Sequence, residues 1–104
     1  MKFIVYWKKI PFLKVKKLNN VYYSHILAEN IEKIKEEGYP ITFITNIKAM
    51  DHKLPKLIQN RLPSIEYMCS QLEDTTNTEQ AIIEYINKTK CERVTDFLSL
   101  EIEE

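Results

Sequence analysis

The sequence predicts an α+β fold: one domain covering residues 1–104, with an antiparallel sheet built from an N-terminal meander and helices mainly in the second half. Strand-like alternation and runs of β-branched or aromatic residues dominate before residue 50. Helical periodicity dominates after residue 53. A length of 104 residues supports one modest hydrophobic core and leaves little room for a second.

Two strands are predicted at the N-terminus. Residues 2–7, "KFIVYW", form an apolar run that suits a strand buried on both faces. Residues 12–18, "FLKVKKL", alternate in polarity, which places Phe12 on the side of Lys14 and Leu13 on the opposite side.

A third strand and a helix follow. Asn19 and Asn20 readily take left-handed geometry, so residues 12–18 and 21–27 should form a hairpin. Residues 28–40 predict a helix that ends at Gly38, since Gly38 suits the left-handed position and Pro40 prevents continuation. Alternation in residues 41–47, "ITFITNI", then predicts a fourth strand.

Two prolines bracket the next helix. Pro55 suits a first helical turn, and Pro63 ends the helix about two turns later. A helix this short is not stable alone, so this chain or another must support it. Its apolar residues are either core or interface, and the sequence leaves both readings open.

Helical periodicity continues after Pro63, with Ser64 as an N-cap for residues 64–72. Asn77 and Gln80 form a capping-box pattern ahead of a last helix. The apolar faces of the two helices are Ile65, Met68, Cys69 and Leu72 in the first, and Ile82, Tyr85, Ile86 and Thr89 in the second. The spacing in residues 94–102 is that of a final strand or an extended arm.

The formal charge of zero argues against a nucleic-acid binder that relies on phosphate neutralisation. The two halves differ, with a net charge of +4 in residues 1–52 and −4 in residues 53–104. A nucleic-acid-binding domain that uses the basic N-terminal hairpin is the alternative function. Its candidate residues are Lys8, Lys9, Lys14, Lys16, Lys17, Tyr22 and Tyr23, although lysines also protect exposed strand edges.

Catalytic and metal-binding signatures are absent from the sequence. His25, His52, Cys69 and Cys91 show no zinc-ligand spacing, and a single glycine rules out the usual phosphate-binding loops. We therefore predict no cofactor, no metal and no enzymatic activity. A small hydrolase built on Cys69 or Cys91 with a histidine is a third reading, because such pairs meet in space.

The N-terminal run is too short for a signal peptide and has no small-residue cleavage site. No apolar segment is long enough for a membrane-spanning helix. We therefore expect a cytoplasmic protein.

The order of these segments resembles the N-terminal subdomain of HipA-type toxin kinases. The stretch 21–47 precedes "LPKLIQNRLPS", which is similar to the short "LPxFFxNLLP"-like helix of that subdomain, and "TDFLSLEIE" is similar to its closing sequence. The matching positions are Leu54, Pro55, Leu57, Ile58, Asn60, Leu62 and Pro63. Here Leu57-Ile58 replaces the expected aromatic pair, and "KTKCER" replaces a glycine-rich turn.

The resemblance implies a free-standing, HipS-like antitoxin subunit that lacks the kinase core and neutralises a separate Ser/Thr kinase. Its implied partners are that HipA-type (HipT-like) kinase and, in the same complex, a DNA-binding HipB-like protein. No direct contact with nucleic acid or membrane is implied. We expect the contact residues to be Arg61, Leu62, Pro63, Ser64, Ile65 and Tyr67. Among them, Leu62, Ile65 and Tyr67 with Arg61 have the composition of a hot spot, in which a few large apolar or aromatic residues are ringed by polar ones.

Overall fold

The computed structural model describes residues 1–70, 78–94 and 96–103. Five strands form one antiparallel sheet in the order β4-β3-β2-β1-β5. The strands are β1 (Lys2–Trp7), β2 (Ile10–Leu18), β3 (Val21–Ile26), β4 (Met50–Asp51) and β5 (Leu98–Ile102). The predicted α+β fold, with an N-terminal meander in an antiparallel sheet, is confirmed.

Most helical residues in the described ranges lie in the second half of the chain, as predicted. A 3-10 turn, Ala28–Asn30, leads into the first α-helix. The helices in the described ranges are α1 (Ile31–Glu36), α2 (Thr42–Thr45), α3 (Lys56–Gln59), α4 (Ile65–Ser70) and α5 (Thr78–Thr89). Only α5 exceeds two turns among these, so the others depend on packing.

Two-residue turns join the three meander strands. Asn19 and Asn20 have φ of 51° and 64°, which confirms the predicted left-handed hairpin turn. Lys8 and Lys9 form an equivalent turn between β1 and β2, with φ of 48° and 66°. Lysine has no special preference for this geometry, so composition did not reveal the first turn.

A β-bulge in β2 overturns the predicted alternation. Val5 lies opposite Leu13, whereas the next residue, Tyr6, lies opposite Pro11, which leaves Phe12 as the extra residue. Phe12 and Leu13 are therefore both fully buried, although strict alternation would place them on opposite faces.

The sheet has one covered face and one open face. Phe3, Val5 and Leu100 are buried and pack with side chains from the helices in one core cluster. On the other face, the alternate residues Ile4 and Tyr6 of β1 are only half-buried. The prediction that residues 2–7 are buried on both faces is wrong, because no second layer covers this face within the described residues.

The predicted strand 41–47 is also wrong, because this stretch contains α2. Ile44 is buried, and Ile41 and Ile47 pack against the core at a spacing of three residues, which suits a helical turn. The place beside β3 is taken instead by Met50–Asp51. The same stretch therefore fits two patterns, and the three-residue spacing of its isoleucines, not the alternation in polarity, reflects the structure.

Other local predictions agree with the structure. Gly38 follows α1 with a φ of 90°, the left-handed conformation expected after a helix. Ile82 and Ile86 form the buried face of α5, and the tail forms strand β5 rather than an extended arm. Residues 71–77, including the proposed capping residue Asn77, lie outside the described residues.

Candidate partner-binding surface

Helix α3 begins directly after Pro55, so the predicted entrance is confirmed, with Pro55 just outside the first turn. The predicted length is wrong: α3 comprises only the four residues Lys56–Gln59 and ends at Asn60, before Pro63. The Pro55 carbonyl accepts hydrogen bonds from the backbone N–H groups of Ile58 and Gln59, at 2.9 and 3.0 Å. Ile58 is fully buried in the core cluster, and Leu57 packs against that cluster while remaining half-buried. The apolar side of α3 is thus at least partly core.

The C-terminal end of α3 is clamped by a distant segment of the same chain. Arg61 Nη1 donates to the Cys91 carbonyl at 3.1 Å, and Nη2 forms an ion pair with Asp96. Arg93 Nη2 donates to the Asn60 carbonyl at 2.7 Å. We call these contacts the arginine clamp. They show that this chain itself supports the short helix.

Charge pairing in the arginine clamp affects Asp96. Partial burial opposes ionisation of its carboxyl group. Hydrogen bonds from Arg61 and the Leu98 N–H, together with the charges of Arg61 and Arg93, outweigh that effect and lower the pKa of Asp96. Arg61, proposed as a contact residue, is 8% exposed and directs its charge into its own chain.

The next predicted contact residues form a turn between α3 and α4. Leu62 packs against the core, Pro63 is half-buried, and Ser64 is exposed. The Ser64 hydroxyl accepts a hydrogen bond from the Tyr67 N–H at 3.2 Å. This is the geometry of an N-cap, so the predicted capping of α4 by Ser64 is confirmed.

Tyr67 and Met68 occupy opposite environments at the start of α4. The Tyr67 side chain is 52% exposed, whereas Met68 is 2% exposed and belongs to the core. The side chain of Ile65, the remaining predicted contact residue, lies outside what the structure describes. Among the predicted contact residues whose side chains are described, Tyr67 is the large residue that is exposed, whereas Leu62 and Pro63 are partly buried.

An aromatic cluster that sequence reasoning missed lies near the clamp. The Trp7 ring contacts Tyr39 and Phe97 edge to face, with centroids 5.1 and 5.6 Å apart. Phe97 is 58% exposed, and Lys8 Nζ lies 4.6 Å from its ring centroid. These rings come from three separate parts of the chain, so no local pattern could have indicated the cluster.

The basic hairpin does not present its lysines on one surface. Lys14 and Lys16 lie two residues apart on β2 and share one face of the sheet. Lys17 is the next residue and lies on the opposite face. Lys17 Nζ lies 5.6 Å from the Tyr22 ring centroid and 4.0 Å from a Glu79 carboxylate oxygen. The candidate nucleic-acid-binding residues are therefore divided between two faces.

The candidate catalytic cysteine that the structure describes has an unreactive setting. Cys91 is 3% exposed, and burial raises the pKa of its thiol to about 11, against smaller opposing effects of a Thr89 hydrogen bond and two arginine charges. A nucleophilic cysteine needs a lowered pKa. The side chain of Cys69 is outside the described part.

His25 and His52 are both exposed. Within the described residues, no three histidine, cysteine or acidic side chains cluster as metal ligands would. No helix in that part of the chain is both long enough and apolar enough to cross a membrane.

Comparisons with known proteins found no match: no protein-family model, no curated protein and no solved structure resembles the chain significantly.

Proposed function

We propose that this chain is a non-enzymatic, antitoxin-like subunit that binds and neutralises a separate HipA-type Ser/Thr kinase toxin. The motivation is the likeness of its segment order to the N-terminal subdomain of such kinases. The supporting observation is Tyr67, a half-exposed aromatic side chain that follows a braced turn. The proposal places the protein in the cytoplasm, with the kinase.

The braced turn suits a contact segment because its backbone is already ordered. The arginine clamp holds the end of α3, and the Ser64 cap holds the start of α4. Little conformational entropy would then be lost on binding, which favours affinity. Tyr67 would act as the anchor of a small hot spot, with Pro63 and Ser64 beside it.

Docking of this anchor between the lobes of the kinase would block their closure. Closure is a step that kinases require to complete their catalytic site. Inhibition would then need no chemistry in this chain, consistent with the unreactive setting of Cys91.

The first test is co-expression with a HipA-type kinase whose gene lies beside that of this chain and lacks its own N-terminal subdomain. We expect growth rescue and co-purification. Absence of both would contradict the proposal.

The second test compares two neighbouring residues. Tyr67→Ala should weaken the kinase complex by about 2 kcal/mol or more, as hot-spot truncations do. The free variant should melt at nearly the wild-type temperature, because Tyr67 is 52% exposed. Binding is measured by calorimetry and stability by thermal melting.

The matched control is Met68→Ala, which truncates a side chain that is 2% exposed. It should lower the stability of the free protein by about 2–5 kcal/mol, while the folded fraction keeps its affinity. Unchanged affinity for Tyr67→Ala would show that the kinase contacts another surface. Ile65→Ala extends the comparison to the second predicted anchor.

A further inference from the structure

A cleft of about 780 Å³ lies on the covered side of the sheet, between the strand ends and the segment 46–61. Its apolar lining includes Trp7, Tyr39, Leu54, Pro55, Leu57 and Leu98. Small-molecule sites commonly have volumes of about 300–1,000 Å³ with apolar walls and a few fixed polar groups. The size and lining of this cleft fit that description.

The aromatic wall of the cleft is preformed. The Trp7 indole N–H donates to the Glu37 carbonyl at 2.9 Å, and its ring contacts Tyr39 at a centroid distance of 5.1 Å. Tyr39 in turn packs against Phe12, with centroids 4.9 Å apart. A ligand would therefore meet a rigid surface and lose little affinity to side-chain ordering.

The polar part of the lining includes the clamp. Arg61 and Asp96 both contribute to the cleft, and they neutralise each other in an ion pair. Because their geometry is held by hydrogen bonds to Cys91 and Leu98, the pair offers a fixed dipole beside the apolar wall. It does not set the net charge of the cleft.

Apart from that ion pair, three lysines and one acid line the cleft, so its net charge is positive. Lys48, Lys53 and Lys56 line it and are exposed. Within the described residues none of them has a carboxylate partner within 4.0 Å, whereas Lys8, Lys14, Lys17 and Lys90 each have one. The remaining acid in the cleft, Asp51, accepts a hydrogen bond from the Lys53 backbone N–H at 3.3 Å.

We propose that this cleft binds a small organic anion with an apolar, preferably aromatic, body. The body would pack on Trp7, Tyr39 and Leu57, and the anionic group would lie at the three lysines. Charge complementarity selects the anion, and the ring-lined wall selects the apolar body. This assignment does not depend on the proposed binding of a kinase.

The test uses 8-anilinonaphthalene-1-sulfonate, an aromatic anion, as the probe. Trp7 is the chain's single tryptophan and lines the cleft, so its fluorescence reports binding of the probe, and the lysine variants below locate the bound probe. We expect saturable, one-to-one quenching of Trp7 by energy transfer. The uncharged analogue N-phenyl-1-naphthylamine should bind at least about tenfold more weakly, since it lacks the sulfonate.

Two triple variants separate the lysines of the cleft from charge in general. Lys48→Gln, Lys53→Gln and Lys56→Gln together should raise the dissociation constant roughly tenfold. Lys16→Gln, Lys33→Gln and Lys35→Gln remove the same charge from exposed positions that do not line the cleft, and should change it less than about twofold. Circular dichroism checks that both remain folded.

Three results would overturn the assignment. They are absence of saturable quenching up to about 1 mM probe, equal effects of the two triple variants, and equal affinity for the charged and uncharged probes. Each can occur whether or not the kinase complex forms, so failure here is distinct from failure of the proposed function.

Discussion

The N-terminal meander and the segment 42–70 differ in what holds their backbones. In β1–β3, each strand pairs with its sequence neighbour through a two-residue turn. The segment 42–70 contains helices of four, four and six residues, too short to be stable alone. Buried side chains such as Ile58 and the arginine clamp hold it in place.

The comparison shows that a segment with weak local structure can be held in place if distant residues brace it. The meander relies on contacts between neighbours along the chain, whereas the Arg61 contacts span 30 and 35 residues. Loss of one brace should therefore loosen the second region selectively. Damage to the meander core should instead affect the whole domain.

Phe12→Ala should produce the largest effect, a loss of about 3–5 kcal/mol in the free energy of unfolding. Phe12 is fully buried at the bulge and packs on Tyr39, so its removal leaves a cavity in the shared core. Urea denaturation measures the loss. Phe97→Ala is the control: Phe97 is 58% exposed, and about 1 kcal/mol or less is expected.

A Phe12→Ala loss no larger than that of Phe97→Ala would show that the bulge region is not part of the cooperative core. The contrast between a self-supporting meander and a braced segment would then not hold.

Arg61→Met should cost about 2–3 kcal/mol, because it removes the cation that pairs with Asp96 and the Arg61 donor to the Cys91 carbonyl. Asp96 then keeps only the Leu98 N–H as a hydrogen-bond donor among the described residues. The Asp96 side chain is 32% exposed and can recover some hydration, so the cost should be below that for a fully buried pair. Arg93→Met, which removes one exposed hydrogen bond to Asn60, should cost less than about 1 kcal/mol.

Hydrogen exchange sharpens this prediction. Amides of residues 56–70 should exchange faster in Arg61→Met, while those of the meander should change less, because the clamp braces only the first set. Uniform acceleration through both regions would contradict the idea that they are held independently.

The smallest effect expected is on the pH dependence of stability. The pKa of Asp96 is lower in the folded protein than in the unfolded chain. The ionised carboxylate therefore stabilises the folded state fully at pH values above the unfolded pKa of about 3.9. That contribution is lost as the pH falls through the lower folded value. The stability difference between wild type and Asp96→Asn at pH 7 should thus shrink below about pH 4. Urea midpoints across pH 3–7 measure it, and a constant difference would rule out this role for the ionised carboxylate.

Much of the local structure followed from the sequence alone. The Asn19-Asn20 turn, the helix stop at Gly38, the start of α3 after Pro55 and the Ser64 cap each depend on residues within a few positions. Such features are set by backbone preferences, which neighbouring residues determine. The α+β fold followed from the same periodicities.

Tertiary contacts decided what local preference left open. Strand alternation in residues 41–47 was overridden because Ile44 could be buried in a helical turn while β4 paired with β3. Arg61 was predicted as a contact residue, but its role as a clamp depends on Cys91 and Asp96, which no spacing rule connects to it. The aromatic cluster and the lysine-lined cleft likewise exist only once distant segments have packed, because long-range proximity is a property of the folded chain.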